Sequence, residues 1–144
     1  MSHVRFIDIS PERREDPGGI SWFPWQGKVR DPQHLLKSFH LLSIIPGHTR
    51  GNHLHPGHAE WLYPFHGAGV LIWEAAPGQV RERVVSGDRT LIHIPPGVPH
   101  ALKNPGPEIL YLLAWREAAG PGATDPETVP HALGSAPGLA QENP

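Results

Sequence analysis

The most informative stretch of the sequence is Arg50-Gly-Asn-His53-Leu-His55-Pro-Gly-His-Ala-Glu60. Successive side chains of a β-strand point to opposite faces, so in an extended segment His53 and His55 share one face. Two imidazoles on one face lie near enough to bind the same cation. Because the Pro56-Gly57 turn allows the chain to return as a hairpin, we expect the carboxylate of Glu60 to lie beside this pair.

A further histidine, His100, follows a second group of turn residues. It comes directly after Pro95-Pro-Gly-Val-Pro99, a stiff turn that can direct its imidazole towards the same point. Three neutral imidazoles and one carboxylate suit a divalent transition metal such as Zn, Ni, Fe, Mn or Co, whereas Ca and Mg prefer oxygen ligands. The sequence therefore predicts a site for one divalent transition metal, with four ligands: His53, His55, Glu60 and His100.

The remainder of the chain has the pattern of a small all-β domain. Its 144 residues include 18 prolines and 16 glycines, and 38% of them are hydrophobic, which permits one core but disfavours long helices. Short β-rich runs separated by turn residues predict an antiparallel sandwich or a small barrel. The runs are Ser38–Ile45, Trp61–Phe65, Gly69–Ala75, Val80–Val85, Leu91–Ile94 and Ile109–Trp115.

Three regions are expected along the chain. Residues 1–37 form an N-terminal extension of irregular structure and short strand, residues 38–115 form the barrel, and residues 116–144 form a Pro/Gly-rich tail that is extended or partly disordered. The extension contains Trp22, Phe23 and Trp25. Their apolar surface either packs on the barrel of the same chain or meets a second subunit.

Composition argues against several classes of function. A net charge of −2 with scattered basic residues disfavours nucleic-acid binding. We find no apolar run long enough for a transmembrane helix and no signal-peptide layout at the start of the chain, so we expect no membrane partner and a cytoplasmic location. The absence of cysteine excludes disulfides and thiolate metal ligands.

Two motifs in the chain resemble those of the cupin family. The first motif is matched at every defined position by Gly47-x5-His53-x-His55-x4-Glu60-x6-Gly67, and the second by Pro95-x-Gly97-x2-His100-x3-Asn104. The second motif normally opens with a glycine five residues before its proline, whereas Gly87 stands seven residues before Pro95, which indicates a longer turn. The resemblance covers about residues 38–115. It implies a double-stranded β-helix, or jelly-roll, barrel with the metal bound inside by the same four residues.

A narrower resemblance concerns the segment Thr49-Arg-Gly-Asn-His-Leu-His55. It is similar to the C-terminal cupin domain of bifunctional capsular-polysaccharide enzymes, which act on UDP-linked 4-keto-6-deoxy-aminosugars. That domain holds zinc and carries out epimerisation next to the keto group. The resemblance therefore implies zinc as the favoured metal and an isomerase or epimerase acting on a keto-sugar. We find no Gly-rich dinucleotide-binding segment in this chain, so the reductase half of those enzymes has no counterpart here.

Further site residues are proposed from their chemistry alone. A metal that polarises a carbonyl still requires a base for the adjacent proton, and the candidates are His93, Tyr63 and Tyr111. The guanidinium of Arg50 can bind a phosphate or a carboxylate of the substrate. Trp73 is a candidate for the lining of an apolar ligand pocket.

Two other functions remain open at this point. The same ligands with open coordination positions would also suit an Fe(II)-dependent dioxygenase. Alternatively, the chain is a non-enzymatic cupin that binds a sugar or another small molecule, with the metal as structural support. In each case the expected ligand is a small molecule inside the barrel, and the resemblance implies a homodimer.

Overall fold

The computed structural model describes residues 3–87, 89–118 and 128–133, and most of its regular secondary structure is β-strand. One 3₁₀ turn, Ser10–Glu12, and one α-helix, α1 (Pro32–Ser38), lie in the N-terminal part of the chain before residue 40. The strands are β1 (Arg5–Asp8), β2 (Arg14–Asp16), β3 (Gly19–Ser21), β4 (His40–Ile44), β5 (Thr49–Leu54), β6 (His58–His66), β7 (Ala68–Ala76), β8 (Gln79–Ser86), β9 (Thr90–Ile94), β10 (His100–Lys103), β11 (Leu110–Ala118) and β12 (Val129–Pro130).

Two five-stranded antiparallel sheets form the body of the fold. The first has the strand order β1-β9-β6-β11-β4 and the second the order β12-β5-β10-β7-β8, while β2 and β3 form a separate hairpin. The main core contains side chains from both sheets, among them Ile44, Leu62 and Ile92 from the first and Leu71 and Leu102 from the second. The all-β jelly-roll barrel predicted from the sequence is confirmed.

Alternation along β6 sends its side chains to two different environments. Leu62 belongs to the core between the sheets, whereas Trp61 and Tyr63 belong to a second apolar cluster on the outer face of the first sheet. The N-terminal extension covers this outer face. The rings of Trp22 and Tyr63 meet edge-on with centroids 4.8 Å apart, and Trp25 meets Trp115 at 6.5 Å.

The sequence left open whether the aromatic residues of the extension pack on their own barrel or meet a second subunit. The structure shows that Trp22 and Trp25 pack on their own barrel. Phe23 contacts the ring of Trp25 but remains 58% exposed. The apolar surface that the extension leaves open is thus smaller than its composition alone suggests.

A β-bulge in β5 brings this strand very close to β10. Gly51 opposes Ala101, whereas His53 opposes His100, so Asn52 is an extra residue with φ of 57°. A Cβ atom on Gly51 would lie 2.9 Å from the Cα of Ala101, so only glycine fits there. The bulge therefore sets which side chains of β5 face the barrel interior.

The second motif ends in a buried asparagine that holds two loops together. The Nδ2 of Asn104 donates to the carbonyls of Ile44 at 2.7 Å and Glu108 at 2.8 Å. Its Oδ1 accepts from the backbone N–H of Gly106 at 2.8 Å. Because all these groups lie next to the end of β10, Asn104 fixes the chain that follows the strand.

Part of the C-terminal tail forms a strand of the barrel. β12 pairs with β5, with Val129 opposite Leu54 and Pro130 opposite His53. The expectation of an extended or partly disordered tail otherwise falls on residues 119–127 and 134–144, which lie outside the described residues. Among the residues described, no helix has the length and apolar character needed to span a membrane.

Candidate functional site

The structure brings the four predicted metal ligands together inside the barrel. One ligand atom from each of His53, His55, Glu60 and His100 lies within 4.8 Å of the corresponding atoms of the others. His55, Glu60 and His100 are buried, with exposed fractions of 2%, 7% and 5%. This side-chain group is called the His/Glu cluster below.

Both sheets contribute to the His/Glu cluster. His53 and His100 face each other across the β5–β10 pair, with ring centroids 4.9 Å apart, and His55 follows directly after β5. Glu60 lies on β6 of the opposite sheet. The oxygen Oε2 of Glu60 is 3.1 Å from Nε2 of His55 and 3.3 Å from Nε2 of His100. The side chain of Glu60 therefore extends from the first sheet across the barrel interior to the imidazoles on the second.

The protonation states of Glu60 and His53 are those of metal ligands. Burial alone would raise the pKa of Glu60, but contacts with His100 and His55 hold that pKa well below its usual range. Burial, followed by the charges of His100 and His55, lowers the pKa of His53 to about 4. Near neutral pH, Glu60 is therefore ionised and His53 is neutral, as a metal ion requires.

The second ring nitrogen of two imidazoles has its own partner. Nδ1 of His100 lies 2.9 Å from the carbonyl oxygen of Val98, which can only accept, so this nitrogen carries the proton. Nδ1 of His55 lies 3.3 Å from the hydroxyl oxygen of Thr128. In both rings Nε2 is thereby turned towards Glu60. This donor set fits a divalent transition metal.

A cavity of about 240 Å³ opens beside the cluster between the two sheets. Its wall contains three cluster residues, an apolar part and two arginines. The lining residues are His40, Leu42, Ile44, Arg50, Gly51, His53, Glu60, Leu62, His100, Leu102 and Arg116. A small molecule in this cavity would contact the cluster directly.

Of the two residues predicted to contact the ligand, one lines the cavity and the other does not. Arg50 lines the cavity, is exposed, and donates from Nη1 to the carbonyl of Ser43 at 3.3 Å. Trp73 lies opposite His100 in the β7–β10 pair and packs on the core and on Phe6, with ring centroids 5.5 Å apart. It is not among the residues that line the cavity.

The structure does not bring the three proposed bases to the cluster. His93 lies opposite Trp61 with ring centroids 4.4 Å apart, and Tyr63 packs under Trp22, so both lie on the outer face of the first sheet. Tyr111 stacks on Phe65 at 6.0 Å on the same side. The physical reason is strand parity: Trp61 and Tyr63 flank Leu62, which points inward.

Two cavity residues were missed by sequence reasoning. Arg116 lies on the inward face of β11, opposite Glu60 in the β6–β11 pair. His40 begins β4, opposite Ala114, which is also part of the core. The sequence did contain a signal for Arg116. Every second residue of a strand shares a face, so Arg116 is expected on the same inward face as Leu112 and Ala114.

Comparison with known proteins identifies the family. Residues 40–116, just over half of the chain, match the family model of the cupin domain. The chain therefore belongs to the cupin family. No curated protein sequence matches the chain.

Several solved structures are similar to this one. The capsular polysaccharide assembling protein CapF from Staphylococcus aureus is 28% identical with a TM-score of 0.57, over 66% of this chain and only 27% of the CapF chain. QdtA, a sugar 3,4-ketoisomerase from Thermoanaerobacterium thermosaccharolyticum in complex with TDP, is 19% identical with a TM-score of 0.63, over 78% of this chain and 79% of QdtA. A 3,4-ketoisomerase from Helicobacter canadensis is 12% identical with a TM-score of 0.62, over 81% and 84% of the two chains. Because the two ketoisomerases are only 19% and 12% identical to this chain, their similarity shows a shared fold alone.

His93, on the outer face of the first sheet, makes the free energy of unfolding dependent on pH. Burial, followed by the charge of Arg5, lowers the pKa of His93 to about 4. The unfolded chain therefore binds a proton at His93 at higher pH than the folded chain, and the neutral imidazole stabilises the fold above pH 6.5. We predict that this contribution is lost as the pH falls from 6.5 towards 4, and that the loss is smaller in His93→Gln.

The measurement is urea unfolding of metal-free protein at pH 7.5 and pH 5. The exposed His3 provides the matched control, His3→Gln, which should behave as the wild type does. An equal loss of unfolding free energy in the wild type and in His93→Gln would contradict the burial argument.

Proposed function

We propose that this cupin is a metal-dependent isomerase or epimerase that acts on a keto-sugar or a related small carbonyl compound. The observation that carries the proposal is the His/Glu cluster in the wall of a cavity large enough for a small molecule. A bound divalent metal would supply a Lewis acid that polarises a substrate carbonyl. The four cluster residues would hold it, and the other cavity residues would bind and orient the substrate.

The similar proteins support this choice of chemistry. CapF is a capsular polysaccharide assembling protein, and QdtA is a sugar 3,4-ketoisomerase. A QdtA variant has been solved in complex with TDP-4-keto-6-deoxyglucose. We propose zinc as the metal, as the sequence resemblance implies, and a nucleotide-linked keto-sugar as the substrate class. The homodimer and the cytoplasmic location expected from the sequence stay predictions.

His40 replaces the earlier candidates as the base in this proposal. Nδ1 of His40 lies 2.7 Å from the carbonyl oxygen of Ser38, so the proton resides on Nδ1. Nε2 is then the basic nitrogen, and the residue lines the cavity that contains the cluster. Removal of a proton next to a carbonyl needs a base within hydrogen-bond reach of that carbon. Among the described residues that line the cavity, His40 is the one outside the cluster with suitable chemistry.

Solvent exchange tests the proposed reaction. Zinc-loaded protein is incubated in deuterium oxide with TDP- and UDP-linked 4-keto-6-deoxy sugars, and deuterium at the carbon next to the keto group is followed by NMR. We expect incorporation that disappears when the metal is removed and that falls by about 100-fold or more in His40→Gln. The control His66→Gln changes an exposed histidine and should retain the rate.

The two alternative functions give different results in the same assay. Substrate-dependent oxygen uptake by iron-loaded protein, without deuterium exchange, would show the dioxygenase and contradict the isomerase. Ligand binding that is unchanged after metal removal, again without exchange, would show a binding module.

A further inference from the structure

The guanidinium of Arg116 is a cation without a described partner in the cavity wall. All the hydrogen bonds that the structure shows for Arg116 involve its backbone, which exchanges bonds of 3.0 and 3.2 Å with the hydroxyl of Ser38. Its Nε atom is buried and has no hydrogen-bond partner among the described residues. No ion pair of Arg116 occurs in the part of the chain that the structure describes.

The described residues that line the cavity carry more positive than negative charge, with Arg50 and Arg116 against Glu60. Glu60 is the only acidic residue among the described residues of the cavity wall, and its Oε2 approaches His55 and His100. Arg50 adds a second guanidinium at the cavity wall. A divalent metal in the cluster would add further positive charge. A cavity with this balance of charges attracts an anion.

We propose that Arg116 binds an anionic group, a phosphate or a carboxylate, of the ligand that occupies the cavity. The physical reason is that a half-buried charge without a partner costs free energy, which an anionic ligand group recovers. The planar guanidinium matches both phosphate and carboxylate through paired hydrogen bonds. This inference rests on the proposed function for the cavity and assigns the recognition of the substrate's anionic group to Arg116.

Isothermal titration calorimetry of zinc-loaded protein tests this assignment with three probes: TDP, inorganic pyrophosphate and malonate. We expect Arg116→Met to weaken binding about tenfold or more, because the variant loses a hydrogen bond to a charged group. Arg116→Lys should restore part of the affinity, because the charge returns without the paired geometry. Arg81→Met, a change of an exposed arginine on β8, is the matched control and should bind as the wild type does. Preference for pyrophosphate over malonate would identify phosphate as the anion, and the reverse would identify carboxylate.

A second readout separates ligand binding from a structural role. Because the substitution removes a half-buried charge that has no ion pair among the described residues, ligand-free Arg116→Met should melt at the wild-type temperature or above. A lower melting temperature with unchanged probe affinity would overturn the proposal. So would an equal loss of zinc and anion affinity, which would show that Arg116 acts through its cross-strand neighbour Glu60. Anion binding that depends on Arg116 but occurs without any deuterium exchange would reject the isomerase and keep the anion site.

The C-terminal segment supplies an independent observation on the metal ligands. β12 lies beside β5, and the backbone N–H of His131 donates to the carbonyl of Asn52 at 2.7 Å. The backbone N–H of Leu133 donates to Oδ1 of the same asparagine at 3.3 Å. This pairing places the hydroxyl of Thr128 at 3.3 Å from Nδ1 of His55. A residue far along the chain thus contacts a predicted metal ligand.

We infer that Thr128 is a positioning residue for His55. Its hydroxyl oxygen can accept a hydrogen bond from Nδ1–H, which leaves Nε2 unprotonated and directed at Glu60. Metal-binding imidazoles commonly have such a partner on the second nitrogen, and loss of the partner weakens metal binding. The inference rests on the proposed metal site.

Zinc affinity, measured by competition with a chromophoric chelator, tests this role. We expect Thr128→Val to weaken zinc binding by about 10 to 100-fold, whereas Thr128→Ser, which keeps the hydroxyl, stays near the wild type. Valine has nearly the shape of threonine, so the metal-free melting temperature should hardly change. Equal zinc affinity in Thr128→Val and the wild type would overturn the role of Thr128, whereas zinc that fails to bind the wild type would reject the metal site itself.

Discussion

The close pairing of β5 with β10 is the constraint on which the rest of the site depends. Gly51 permits an approach that a Cβ atom would prevent, and Asn52 is the extra residue of the bulge. Since the bulge shifts the alternation by one position, Arg50 and His53 both face the barrel interior, although strict alternation would separate them. His53 thereby meets His100 across the strands. Gly51, which is not a defined position of the first motif, thus serves the geometry of the cluster.

The carboxylate of Glu60 joins this strand pair to the opposite sheet. It is buried, its pKa is held low by His100 and His55, and it carries its charge into the space between the sheets. The same sheet contributes Arg116 directly opposite Glu60, so the cavity contains opposite charges on neighbouring strands. In the proposed function, the cluster and Arg116 attract different parts of one ligand.

The sequence predicted that His53, His55, Glu60 and His100 come together, because their spacing depends on local rules. Strand periodicity relates His53 to His55, and the proline-rich turn directs His100. The proposed bases lie away from the cluster for a reason that the sequence does not contain: the face to which His93 points depends on which side of β9 meets the core. Arg116 lies just beyond the expected barrel end at residue 115, and β10, only four residues long, was not among the predicted runs. The contact of Thr128 with His55 depends on tertiary structure alone.

The zinc content of purified protein and its variants tests the central claim, that this His/Glu cluster binds one metal ion. Wild-type protein reconstituted with zinc and freed of excess metal should retain roughly one zinc ion per chain. His53→Ala and His100→Ala should each lose it, while His48→Ala, a change of an exposed loop histidine, should keep it. Stoichiometric zinc in either of the first two variants would contradict the assignment of the ligands, and a wild type that binds no zinc, nickel, iron, manganese or cobalt would contradict the metal site.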